Sequence, residues 1–234
     1  MTIDDERIRY AVAHTEILRI PKQKLATFGA TNMYYYVVTR PVYADLEKDI
    51  AETVVREGRV IAERPKIVTP YYLTRLDGFS LDARRYFDIL MDVHGAHAPG
   101  LFYTYRKESQ ETNIVSEDLP SVVDKINARI DERGDQLASI IKGDDEFWDV
   151  SLLKFIYEMT RSSLQENLLQ LQGSGLLDID GGGIPVDARV RIEELFRQVS
   201  RGERETGELK TELDRWDVFP QYEDRFFRLF RHKL

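Results

Sequence analysis

Asp92-Val93-His94-Gly95-Ala96-His97 is the one cluster of metal-ligand residue types in the sequence. An aspartate and two histidines can supply three of the four ligands of a zinc or iron site. Asp92, His94 and His97 therefore define the catalytic candidate, a metal-dependent hydrolase with its fourth ligand unassigned. The spacing argues against it. His94 and His97 share a face only if a helix continues through Gly95, and Gly95 with Pro99 predicts that the helix ends there. Histidines at a helix C-terminus have a simpler role, because they interact favourably with the exposed carbonyls. The expectation is no bound metal and no cofactor, with Asp92, His94 and His97 as the alternative.

The other chemistry-bearing motifs fail on spacing. Asp178-Ile179-Asp180 followed by three glycines resembles the start of a calcium loop. Such a loop needs an oxygen ligand at its fifth position and a glutamate at its twelfth. Those positions are Gly182 and Arg189, and an arginine repels the ion. No Lys-Ser or Lys-Thr pair follows the glycines, so they do not form a phosphate cradle. Gly173-Ser174-Gly175 is too short for a nucleophile elbow.

Tyrosine is the remaining anomaly. Nine of the 12 tyrosines lie between Tyr34 and Tyr105. In a strand, Tyr34 and Tyr36 face one way and Tyr35 the other, so both faces are aromatic and the sheet is expected to be covered. A buried hydroxyl without a partner costs ~1–3 kcal/mol, so a cluster of tyrosines predicts that several reach water, a ligand or another chain. Tyr36 and Tyr72 are the predicted ligand-binding residues, with Arg40 as the charged group that orients a bound anion.

The elements that must position these residues divide the chain in two. The first part reads as β-rich. Met33 to Thr39 is aromatic and β-branched, and Leu101 to Tyr105 alternates. Glu52–Arg56 and Arg59–Glu63 flank Glu57-Gly58 and predict a hairpin with Gly58 at positive φ. Ile67-Val68-Thr69, bracketed by Pro65 and Pro70, reads as a short edge strand. Leu81 to Val93 has the apolar spacing of a helix.

From Asp118 the periodicity is helical. Asp118 is a cap, Pro120 stands in the first turn, and Gly134 is the stop. Further stripes run through Trp148–Met159, Ile192–Val199, Leu209–Trp216 and Tyr222–Phe230. Leu164, Leu168 and Leu171 point roughly 120° away from Leu152, Phe155 and Met159 at ~100° per residue. Ser163 with Glu166 matches a capping box, so a break at Arg161–Ser163 is expected. Helix, turn, helix and glycine-tipped hairpin would then give a winged-helix-like element near residues 145–187.

The resulting fold class is α+β, with a β-rich, tyrosine-rich N-terminal half followed by a helical C-terminal half. The expected division is 1–116 and 117–234, with the option that both pack as one domain. Hydrophobic residues make up 42% and charged residues 32%, which permits a buried core. Cysteine is absent, which excludes disulfides and thiolate chemistry. The acidic start lacks the apolar stretch of a secretory signal, and no apolar run is long enough for a membrane span. A cytoplasmic location is expected on these grounds.

The net charge of −8 is unevenly placed. Residues through Ser116 carry 16 basic and 16 acidic side chains, and the remainder carries 17 basic and 25 acidic. Such a surface repels phosphate backbones unless a local basic patch overrides it, and the linear sequence displays none. A winged-helix transcription regulator is disfavoured accordingly, and so is any nucleic-acid partner. The leading functional expectation is a non-catalytic binding or regulatory protein. It would take a small molecule or protein partner on its tyrosine-rich sheet and use its acidic helices for assembly, as in a homodimer.

Overall fold

Thr31–Thr39 is a run of β-branched and aromatic side chains, and it forms the strand around which one part of the molecule is built. The structure is a computed structural model that describes residues 3–45, 51–69, 100–108 and 111–231. Within them lie α1 (Ile3–His14), β1 (Glu16–Arg19), β2 (Thr31–Thr39), β3 (Thr53–Ala62), β4 (Lys66–Val68), β5 (Gly100–Phe102), β6 (Tyr105–Lys107) and β7 (Glu111–Val115). The chain continues through α2 (Leu119–Arg133), β8 (Ala138–Lys142), α3 (Trp148–Gly173), α4 (Val186–Ser200), α5 (Thr206–Arg215) and α6 (Phe219–Arg231). Two compact units result. One comprises Met1–Arg64 with Tyr103–Asn167, the other Pro65–Phe102 with Leu168–Leu234. The α+β class is as expected from the sequence.

The first unit is a sheet covered on both faces. Its strand order is β1-β8-β2-β3-β6, with β7 also paired to β3. β2 and β8 are parallel, and every other neighbour is antiparallel. Alternation along β2 sends Met33, Tyr35 and Val37 into a core with Leu152, Phe155 and Met159 of α3. Tyr36 and Val38 enter a second core with Val122, Ile126 and Ile130 of α2. α2 has the expected boundaries. Asp118 accepts a hydrogen bond from the Ser121 amide, and Gly134 ends the helix at φ 65°.

Four local expectations are corrected. Glu57-Gly58 is not a turn: β3 runs straight through it, with Gly58 opposite Tyr35, and Gly58 does not have positive φ. A two-residue hairpin turn needs left-handed backbone, which Glu57 does not favour. A continuous β3 instead pairs with β2 on one side and with β6 and β7 on the other. Second, residues after Asp118 are not all helical, because Ala138–Lys142 forms the interior strand β8, between β1 and β2. A short, fully buried apolar run has no period that separates strand from helix.

Third, no break occurs at Arg161–Ser163. α3 is one helix of 26 residues, so the helix-turn-helix order of a winged-helix element is not formed. Between Met159 and Leu171, both buried, the buried positions are the polar Ser163 and Asn167, while Leu164 is exposed. Fourth, the Leu101–Tyr105 segment divides, with β5 paired to β4 and β6 paired to β3.

The second unit is built on α4, α5 and α6. Ile192, Phe196, Leu209, Leu213, Trp216 and Phe226 form its core, with Val68 of β4. The loop before α4 is the one that resembles a calcium site. Here Arg189 occupies the charge role of a cation, donating from Nε to Asp180 Oδ2 at 2.6 Å. Asp180 Oδ1 accepts from the amides of Gly182 and Ile184 at 2.8 and 3.3 Å. Among the described residues, no helix is long and apolar enough to cross a membrane.

Candidate functional site

The tyrosines separate by the face of the sheet they occupy. On the α3 side, Tyr35 is fully buried, and burial raises its phenol above the ordinary value. Tyr103 and Tyr105 are raised by the same cause. Their hydroxyls are held by α3: Asn167 Nδ2 donates to Tyr103 at 2.9 Å, and Tyr105 bonds Thr160. Asn167 Oδ1 accepts from Thr27 at 2.9 Å, and Ser163 Oγ accepts from the Leu25 amide at 3.0 Å. The polar stripe of α3 therefore anchors the connection between β1 and β2 and leaves these phenols structural.

On the α2 side, Tyr34 and Tyr36 line a cleft of about 340 Å³ with Glu57, Arg59, Arg129 and Arg133. Strand register builds its floor, with Tyr34 opposite Arg59 and Tyr36 opposite Glu57. α2 supplies the wall. The Arg129 guanidinium lies 5.0 Å from the centre of the Tyr36 ring and donates to Glu57 at 2.9 Å. Arg59 pairs with Glu108, and that carboxylate, with the Tyr34 phenol, raises the Arg59 guanidinium above its ordinary value. Arg133 and Glu111 also line the cleft, and neither has an ion pair among the described residues. A second cleft of about 240 Å³, lined by Val55, Val115, Val122 and Ile126, shares Glu57 and Arg129 with the first. The two make a groove between α2 and the strands β3 and β7, charged at one end and apolar at the other.

Arg40 is elsewhere. It lines a cleft of about 760 Å³ with Pro41, Lys142, Asp144 and Asp145 and the first turn of α2. This cleft lies where the parallel strands β2 and β8 end, a favoured place for ligands in α/β sheets. Four of its seven charged lining residues, Glu16, Lys142, Asp145 and Glu146, are in ion pairs. Lys142 donates to Glu16 at 2.8 Å, Arg7 to Glu146 at 2.5 Å, and Asp145 accepts from Arg56 at 2.7 Å and from Thr39 at 2.6 Å. Tyr36 and Arg40 thus share a sheet face but line different clefts.

Tyr72, Asp92, His94 and His97 lie outside the described residues, as does the helix expected over Leu81 to Val93. Among the described residues no three histidine or carboxylate side chains converge as a metal site requires.

Glu57, Arg59, Arg129 and Arg133 were not apparent as site residues in the sequence. Arg129 and Arg133 have the i,i+4 spacing of one helix face, and Glu57 and Arg59 the i,i+2 spacing of one strand face. Those spacings signal two charged faces but not that they meet. The chain matches no family model, no curated protein and no solved structure.

Proposed function

We propose that the protein is a non-catalytic binding protein that takes an extended, mixed-charge segment of a protein partner in the groove floored by Tyr34 and Tyr36. The observation that carries this reading is the pairing across that groove: two arginine–glutamate pairs over an aromatic floor, with Arg133 and Glu111 left to meet charges of the opposite sign. A single anion or cation would satisfy only half of such a surface, whereas a peptide can carry both signs. Tyr34 and Tyr36 add rigid contact area with a polar tip, as interface tyrosines do. Val122 to Arg133 spans about 17 Å of helix, the length of about five extended residues.

The test is a library of short peptides screened against the full chain. Peptides with an apolar residue between an acidic and a basic one are expected to be retained. Hydrogen exchange should then slow in α2 and β7. Tyr34→Ala with Arg133→Ala should weaken binding about tenfold or more, with the thermal midpoint nearly unchanged. Retained peptides that protect a different surface, or that survive the double substitution at full affinity, would overturn the reading.

A further inference from the structure

The second unit gathers positive charge that the linear sequence hides. Arg197 and Arg201 of α4 and its C-terminus, and Arg225 and Arg228 of α6, line one cleft of about 810 Å³. None of its described lining residues is a carboxylate. The floor is apolar: Phe196 and Val199 are buried, and Leu229 and Phe230 flank them. A volume of this size suits a small-molecule site, which combines apolar lining with a few convergent polar groups.

The arginines differ in how far their charge is already spent. Arg225 Nη1 donates to both oxygens of Glu193, at 2.7 and 2.8 Å, while its guanidinium lies 4.1 Å from the Phe196 ring centre. Arg197 pairs with Glu194 at 2.5 Å. These two are neutralised from outside the cleft. Arg201 reaches Glu203 only at 3.9 Å. Arg228 makes a 3.2 Å bond from Nε to the Asp224 carbonyl and has no ion pair among the described residues. Arg201 and Arg228 therefore retain donors for an anion. The carboxylates of Glu193, Glu194 and Glu203, placed behind the lining, repel an extended polyanion but leave room for a single anionic group inside the arginine ring.

We propose that this cleft binds a small amphipathic anion: a carboxylate, or another singly charged acidic head, on an apolar chain or ring. The head lies between Arg201 and Arg228, whose planar guanidinium groups suit two-point recognition of a carboxylate. The tail covers Phe196, Leu229 and Phe230, and its removal from water onto this apolar surface favours binding. The site is independent of the tyrosine-floored groove and belongs to the other compact unit.

Calorimetric titration of the full chain with decanoate tests the proposal, with acetate and decanol as head-only and tail-only probes. Decanoate is expected to bind saturably at one site, with each control at least about tenfold weaker. Replacing both Arg201 and Arg228 by Gln should weaken decanoate about tenfold or more, as loss of charge-assisted hydrogen bonds implies. The Arg204→Gln variant, which removes one positive charge outside the lining, should bind like the unsubstituted chain. Circular dichroism melts of each variant keep a folding defect distinct from a binding defect. Absence of saturable decanoate binding overturns the proposal, as does decanol binding as tightly as decanoate. So does undiminished affinity in a folded Arg201→Gln/Arg228→Gln variant.

Discussion

Asn167 shows how one polar residue in a helix interior-facing stripe can organise a fold. It is buried, accepts from Thr27 and donates to Tyr103. Asn167→Leu would fill similar volume but leave both hydroxyls without their partner. The expected loss is ~1–3 kcal/mol, read as a lower urea midpoint at unchanged slope. A neutral result would mean that Thr27 and Tyr103 reach water instead.

Asp180 is a second single-residue case, with a pH signature. The hydrogen bond from Arg189, supported by the Ile184 and Gly182 amides, holds its carboxyl below the ordinary value of 3.8. A depressed carboxyl contributes stability that is fully present above the unfolded value and is lost as pH falls through the folded one. Asp180→Asn should therefore cost ~1–2 kcal/mol near neutrality. Its difference from the unsubstituted chain should shrink below pH 3.8. Parallel acid titrations followed by circular dichroism would show the two curves converging. Gly182 belongs to the same constraint, since a Cβ there would stand 2.1 Å from the Arg189 Nη2 atom.

At the scale of elements, position in the sheet decides which strand is hardest to open. β8 is bonded on both sides, to β1 and to β2, and its Ile140 and Ile141 are fully buried. β7 has exposed side chains along nearly its whole length and pairs only with β3 among the described residues. The amides of Ile140 and Ile141 are accordingly expected among the slowest to exchange, and those of β7 well ahead of them. Hydrogen exchange resolved by residue checks this order, and fast exchange in β8 would contradict the sheet topology. The end of β8 is also tightly built. A side chain at Gly143 would place its Cβ 2.2 Å from Ser151 Oγ, which itself lies 2.7 Å from Thr15 Oγ1. Glycine there permits close approach of strand end and helix, a use unrelated to positive φ.

For the whole molecule, charge sets the broad limits on partners. With a net charge of −8, no salt-sensitive affinity for duplex DNA is expected at about 0.15 M ionic strength. The four arginines of the second unit do not alter this expectation, because carboxylates stand behind three of them. Fluorescence anisotropy with a labelled duplex is the direct check. Binding that falls steeply with added salt and disappears on Arg228→Gln would reverse it and make the arginine cleft a phosphate site.

The sequence by itself determined the parts that rest on short-range physics. Asp118, Pro120 and Gly134 bound α2 because capping and left-handed termination involve groups a few residues apart. Met33 to Thr39 reads as a two-faced strand because alternation is a property of the backbone. The apolar stripes of α4, α5 and α6 follow from helical periodicity in the same way. Only the tertiary structure decided what depends on partners distant in sequence. Residues 138–142 became an interior strand because β1 and β2 flank them, and β3 stayed straight because β6 and β7 continue its pairing. α3 continued past Arg161 because Leu25, Thr27 and Tyr103 supply bonds to its polar stripe. The tyrosine-floored groove was hidden for the same reason. Which face Tyr36 shares with Arg129, and that Arg40 belongs to another cleft, depend on strand register and on the seat of α2. Both are set by contacts between segments that the linear order keeps far apart.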